Sequence, residues 1–236
     1  LSSRRRHTRY ISVTGVQTCA LPISETYQYY CFADDDTQYR SLGRQPHPEC
    51  AQRSYGAKLA KYINADLYLD AESASSNDRI IRTTKQYLEN NKPDCILIGW
   101  TSWEREEWLH DGVYWQVNAA PPGHDWPKEI QDRHRDWVLT VDYNQKRLEW
   151  HEKIWQFHQE LQDIPHLFFN AFSSFSRTPV VDWGMNYVHP YNDNFTYRNW
   201  LLAQGCKTVS PESYHFPESA HTIWADYLLP KLTHIL

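Results

Sequence analysis

No window of the 236-residue sequence approaches eighteen consecutive apolar residues, so no segment is long enough to cross a bilayer as a helix. There is no C-x-x-C pair. Cys19, Cys31, Cys50, Cys95 and Cys206 are too scattered for a zinc site or a dense disulfide framework, and a reducing, cytoplasmic setting is the expectation. No two of the 12 histidines stand in an H-x-x-x-H pair, so His110, His124 and His134 are not expected to hold a metal, and no cofactor is foreseen. Internal repeats and low-complexity tracts are missing as well.

Acidic balance is the next exclusion. Arg4, Arg5, Arg6 and Arg9 cluster at the start without an acidic neighbour and without a signal-like apolar stretch after them. The run Val13-Thr14-Gly15-Val16-Gln17-Thr18-Cys19-Ala20-Leu21-Pro22-Ile23 resembles the translation of a sequencing-adapter primer. Residues 1–23 are therefore expected to lie outside the folded unit, leaving residues 24–236 as one domain. Without them the net charge moves from -5 to -9, the opposite of the basic footprint that a nucleic-acid binder carries.

What the chain does have is aromatic bulk: 11 Trp and 16 Tyr, which bury large areas in a core. Strand-like and helix-like segments alternate. Residues 27–32 read as a first strand ending at Asp34-Asp35-Asp36, and residues 67–69 as a second. Cys95-Ile96-Leu97-Ile98-Gly99 is apolar throughout, as a parallel strand covered on both faces must be, and Cys31 and Cys95 read as buried thiols. Leu167-Phe168-Phe169 follows Pro165 as the next strand. Between the strands, Ser54 caps a helix with Tyr55, Leu59, Tyr62 and Ile63, and Ser76 or Asn77 caps one with Ile80, Ile81, Thr84, Tyr87 and Leu88. Residues 142–162 form a long helix. The last starts near Glu218, with Ala220, Ile223, Trp224, Tyr227 and Leu228 inward. This alternation predicts an α/β fold: a three-layer α/β/α sandwich on a roughly five-stranded parallel sheet.

Residues 104–138 and 171–205 break the rhythm. Each follows a predicted strand, where open parallel sheets place their ligand crevice, so both are candidate binding loops. Trp103, Trp108, Trp115 and Trp126 suit sugar stacking or core sealing, with sealing the safer reading. Glu104-Arg105-Glu106-Glu107 reads as a solvated helix start.

The chemistry centres on Glu212-Ser213-Tyr214-His215-Phe216-Pro217-Glu218-Ser219-Ala220-His221-Thr222-Ile223-Trp224-Ala225. A carboxylate stands three residues before a His, and a second His opens an amphipathic helix. This passage resembles the last block of SGNH (GDSL-type) hydrolases, in which D-x-x-H supplies acid and base. The resemblance makes His215 the base, Glu212 its carboxylate partner and His221 structural. Ser73-Ala74-Ser75-Ser76-Asn77-Asp78-Arg79-Ile80-Ile81-Arg82-Thr83-Thr84 is similar to the second block, in a form associated with a phage and marine-metagenome branch. Ile98-Gly99-Trp100-Thr101-Ser102 falls where the third block, G-x-N-D, ends its strand. The resemblance spans essentially residues 25–236 and implies a flavodoxin-like sheet.

Three positions depart from the family pattern. Ala33-Asp34-Asp35 stands where G-D-S is expected, so Asp35 occupies the nucleophile position. Ala74 replaces the oxyanion glycine and Thr101 the third-block Asn. A carboxylate is a poor substitute for serine, because its acyl product would be an anhydride, and beside His215 it favours imidazolium. Three readings stay open: an SGNH-type hydrolase of an ester, such as an acylated carbohydrate; an SGNH-fold binding protein without catalysis; and a metal-dependent phosphatase built on Asp34, Asp35 and Asp36. The last is opposed by Ala33 at the position where D-x-D-x-T needs its nucleophile. The expected crevice joins Asp35, Ala74, Ser76, Asn77, Thr101, Glu212 and His215 around a small-molecule or carbohydrate ester, with no nucleic acid and no membrane as partner.

Overall fold

Every residue of Cys95–Trp100 is buried, and the side chains divide between two cores. Successive strand residues point to opposite faces. Cys95 and Leu97 therefore join one apolar cluster with Tyr55, Leu59, Tyr197, Leu201, Trp224 and Leu228, while Ile96, Ile98 and Trp100 join another with Ile80, Trp150, Ile154 and Phe157. Leu167 and Phe169 repeat the first assignment and Phe168 the second. Helices cover both faces of one sheet, which is the three-layer α/β/α arrangement foreseen.

The computed structural model describes residues 9–14, 48–71, 75–123, 125–211 and 215–236. In chain order the strands are β1 (Arg9–Thr14), β2 (Ala65–Asp70), β3 (Cys95–Trp100), β4 (Glu106–His110), β5 (Val113–Val117), β6 (His166–Asn170) and β7 (Tyr187–Val188). The helices are α1 (Pro48–Arg53), α2 (Tyr55–Tyr62), α3 (Asn77–Leu88), α4 (Lys128–Thr140), α5 (Tyr143–Glu160), α6 (Tyr197–Ala203) and α7 (Glu218–Ile235). The main sheet has the order β2-β1-β3-β6-β7 and all its pairings are parallel. The α2 crossover lies on one face and the α3 crossover on the other, so the winding reverses beside β1. A crevice opens at the carboxyl ends of the strands at such a switch point.

Local sequence explains the helix starts. Ser54 Oγ accepts the Ala57 N–H (3.3 Å) at α2, and Ser76 Oγ accepts the Arg79 N–H (3.2 Å) at α3. Asp142 accepts the N–H groups of Asn144 (2.8 Å) and Gln145 (3.2 Å) at α5. Each side chain takes a donor that the first helical turn cannot pair internally.

Four expectations need correction or restatement. Arg9–Thr14, expected with the rest of residues 1–23 to lie outside the folded unit, is a strand of the sheet, paired from Arg9↔Ala65 to Thr14↔Asp70 on one side and at Ile11↔Cys95 and Ser12↔Ile96 on the other. The β-branched and aromatic content of Tyr10-Ile11-Ser12-Val13-Thr14 suits a strand, and local propensity outweighs the run's unusual look. The first strand expected at residues 27–32 lies outside the described residues. Glu104–Glu107 is not a helix start. Glu106 and Glu107 open β4, which pairs antiparallel with β5 and sets Trp108 opposite Trp115. The cause is Asp111-Gly112, both left-handed (φ 48° and 77°), the backbone that a two-residue hairpin requires. In α7, Ile223 points outward with 37% of its surface exposed, while Ala220, Trp224 and Leu228 pack inward at helical spacing.

Candidate functional site at the carboxyl edge of the sheet

Asn77, the first residue of α3, meets Thr101, the residue after β3. The Thr101 N–H donates to Asn77 Oδ1 (2.8 Å), and Asn77 Nδ2 donates to the Thr101 carbonyl (3.3 Å). Both residues are buried. This reciprocal pair fastens the amino end of α3 to the carboxyl end of β3, so two of the residues expected in the crevice are in direct contact. It also defines Asn77 as a strut, since its amide is engaged with backbone on both sides.

A second layer of bonds, absent from the sequence expectations, holds this junction. Arg105 is buried; its guanidinium donates to the Ser75 carbonyl (3.0 Å) and lies 3.4 Å from Thr101 Oγ1. The Ser76 N–H donates to Gln116 Oε1 (3.0 Å). Gln116 Nε2 donates to Glu107 (2.7 Å), whose carboxylate takes a two-pronged bond from Arg82 (2.7 and 2.8 Å). Forked guanidinium–carboxylate pairs hold direction as well as charge. The hairpin therefore clamps the loop before α3. The signal that could have found it was Asp111-Gly112 between two aromatic runs, because the turn dictates which of Glu106 and Glu107 faces α3.

Glu106, on the opposite hairpin face, receives Lys146 and the indole N–H groups of Trp108 and Trp137. Burial pushes its carboxyl up, but these donors outweigh that push and hold it below the usual carboxylate range. The tryptophan-rich segment consequently builds a small core of its own with Val117 and Ile130. Trp103 is buried as well and stacks on Phe175 (4.7 Å between ring centres).

His215 is buried, and its carbonyl accepts the Val209 N–H (2.9 Å). The neighbouring contacts place it along the sheet. Phe216 meets the Tyr197 ring edge-on, and Glu218 pairs with Lys58 (2.8 Å) and Arg53 (3.4 Å). His221 stacks on Tyr55 (5.8 Å, 14° between planes), which packs against Phe169 near the carboxyl end of β6. His221 is buried in this packing. The start of α7, with His215 just ahead of it, thus sits over the carboxyl half of the sheet. Asp35, Ala74 and Glu212 lie outside the described residues, so the chain positions that complete a nucleophile, oxyanion or acid role are not among those placed.

Further along the same edge, Asn170 donates to the Pro190 carbonyl (3.1 Å) and accepts the Tyr187 hydroxyl, whose ionisation burial drives well upward. Ser75 Oγ and Ser174 Oγ are buried hydroxyls without a hydrogen-bond partner among the described residues. No group of three His, Cys, Asp or Glu side chains that could hold a metal occurs among the described residues, and His134 is bonded to the Asn118 carbonyl (2.8 Å). No helix among those residues is long and apolar enough to cross a membrane.

Sheet order and site together define an α/β protein of doubly wound type, with its candidate crevice where the β2–α3 and β3–β4 connections meet. No protein-family model matches the chain, and no curated protein matches it. Among solved structures, a carbohydrate esterase described as having an active site with divergent catalytic and non-catalytic binding functions is similar over 99% of this chain and 67% of that one, with a TM-score of 0.41 and 14% identity. A likeness of that size carries no argument about chemistry.

Proposed function

We propose that the protein is an ester hydrolase of the SGNH type, working in the crevice between α3, the end of β3 and the loop before α7. The observation that carries this reading is the Asn77–Thr101 pair, which joins the residues of the second and third SGNH-like blocks at the sheet's switch point. Helix amino ends present N–H groups that the helix itself does not pair; at α3 Ser76 and Gln116 take those of Arg79 and Ser76, which leaves the first-turn amides of Asn77 and Asp78 to face an oxyanion.

With Asp35 at the serine position, water is the attacking group. The Asp35 carboxylate takes a proton from water as its oxygen bonds to the ester carbonyl carbon. The oxyanion collapses, the C–O bond to the alcohol breaks, and His215 as imidazolium protonates the leaving oxygen. Acid and alcohol are released, and proton return from Asp35 to His215 restores the pair. Glu212 orients the imidazole.

A second reading, a binding protein without catalysis, is favoured by one specific feature. Thr101 stands where the family has Asn, its backbone groups are both engaged by Asn77, and its hydroxyl faces Arg105. That position offers no side-chain amide to an oxyanion. Turnover of p-nitrophenyl acetate decides between them. Hydrolysis that is lost in Asp35→Asn and in His215→Ala supports the water mechanism. An inert wild type that gains turnover in Asp35→Ser, and loses the gain when His215→Ala is added, establishes the second reading. Activity of the Asp35→Ser chain should remain modest, since one missing oxyanion donor costs on the order of 10²–10³ in rate.

A further inference from the structure

The tryptophans that suggested sugar stacking are spent on core packing, but a different part of the molecule has the chemistry for it. Between edge strand β2 and α3 runs an open cleft of about 570 Å³ lined by Tyr68, Asp70, Thr83, Gln86, Tyr87 and Asn91. Tyr68 and Tyr87 stack face to face, 4.2 Å between centres and 26° between planes; Tyr87 is buried and backs the partly exposed Tyr68, which is the aromatic wall of the cleft. Asp70 is the last residue of β2, five positions before Ser75, so the cleft reaches the same carboxyl edge that carries the candidate crevice.

The polar lining selects the ligand. The Asp70 carboxylate is neutralised by Arg79 (2.9 Å), so the lining presents neither an unpaired cation for an anionic ligand nor an uncompensated anion for a cationic one. Gln86 uses its carbonyl oxygen on Arg82 (3.2 Å) and keeps its NH2 as donor. Asn91 uses its NH2 on the Tyr87 carbonyl (2.8 Å) and keeps its carbonyl oxygen as acceptor. Thr83 donates its hydroxyl to the Arg79 carbonyl (3.0 Å) and retains acceptor lone pairs. Neutral donors and acceptors ranged around an aromatic wall match a molecule that has an apolar face and a rim of hydroxyls.

We infer that this cleft is a binding subsite for a neutral sugar ring of an oligosaccharide. It rests on the hydrolase reading only in making that sugar the carrier of the ester; the binding itself requires no catalysis. One ring lies against the tyrosine wall, its hydroxyls bond to Gln86, Asn91 and Thr83, and the rest of the oligosaccharide continues past Asp70 toward Ser75 and Ser76.

The test is saturation-transfer NMR on the full chain with xylotriose, cellotriose, maltotriose and N-acetylchitotriose, and with glucose 6-phosphate as an anionic comparison. At least one neutral trisaccharide should receive saturation on its ring protons, and Tyr68→Ala should weaken its binding about tenfold, the scale of one aromatic contact. Gln86→Ala, an exposed substitution that leaves the tyrosine pair intact, should weaken the same binding severalfold. Transfer to none of the four, transfer that survives both substitutions, or a preference for the phosphorylated sugar overturns the inference. Hydrolysis of p-nitrophenyl acetate in the same samples separates the two claims. Sugar binding without ester turnover removes the hydrolase reading and leaves the subsite standing, and turnover without sugar binding does the reverse.

Discussion

His158 and His166 illustrate how a single proton can be built into a core. His166 Nδ1 lies 2.7 Å from the Ile164 carbonyl, so it carries the proton, and its Nε2 is left to accept from His158 Nδ1 (2.7 Å). His166 must be neutral for this arrangement, because a proton on its Nε2 would remove the acceptor that His158 uses. Burial is the main cause that pulls His166 down to about 4, and it lowers His158 too. The folded state therefore binds protons less readily than the unfolded chain. Stability contributed by the neutral His166 is fully present above the unfolded value of 6.5 and declines as the pH falls toward 4. The loss amounts to roughly 3 kcal/mol by pH 4. Melting temperatures between pH 7 and pH 4 should fall steeply for the wild type and less so for His158→Leu/His166→Leu, where the buried polar pair is removed together. Equal slopes for the two proteins would show that the pair is not the source. At the same scale, Asn77→Ala leaves the Thr101 N–H buried without a partner and should cost about 2–3 kcal/mol in urea unfolding.

Two elements carry the departures from sequence expectation. The hairpin turn needs left-handed backbone at Asp111 and Gly112, and a Cβ on Gly112 would meet nothing within 4 Å. Gly112→Ala should thus cost about 1 kcal/mol through backbone strain alone, measurable as a shift in denaturation midpoint without change of slope. A substitution with no cost would mean the turn relaxes. For β1 the consequence is larger. In the described sheet β2 pairs only with β1, so removal of Arg9–Thr14 leaves β2 without a neighbour. Deleting residues 1–23 should abolish the cooperative thermal transition. An unchanged melt would show that other sequence fills the place between β2 and β3.

At the scale of the whole molecule, the sheet's centre and the hairpin are held by different means. Cys95–Trp100 is covered by both apolar clusters, and burial pushes the Cys95 thiol up to about 12. The hairpin joins α3 through a chain of polar bonds and has its own small core. Hydrogen exchange should accordingly find the Ile96, Leu97 and Ile98 amides opening only with global unfolding, and those of β4 and β5 opening at lower free energy. Identical protection across both regions would mean that the hairpin and sheet unfold as one unit.

Several features were legible in the sequence because the physics that determines them is local. The apolar run at Cys95–Gly99 fits a doubly covered strand, Ser54 and Ser76 each supply an acceptor at a helix start, and strand–helix alternation leads to a parallel sheet with helices on both faces. Other features depended on residues far apart in the chain. In sequence, residues 27–32 read as the first strand and residues 9–14 as lying outside the fold, and only the pairing of Arg9–Thr14 with Ala65–Asp70 and Cys95–Ile96 reveals the latter as a strand. The roles of Arg105, Glu107 and Gln116 were likewise invisible in sequence, since a charged residue reads as solvated until a partner is brought to it. Burial of such a group is stable only when the fold delivers its bonds, and here Ser75, Ser76 and Arg82 deliver them from 25 to 40 positions away and Thr101 from four.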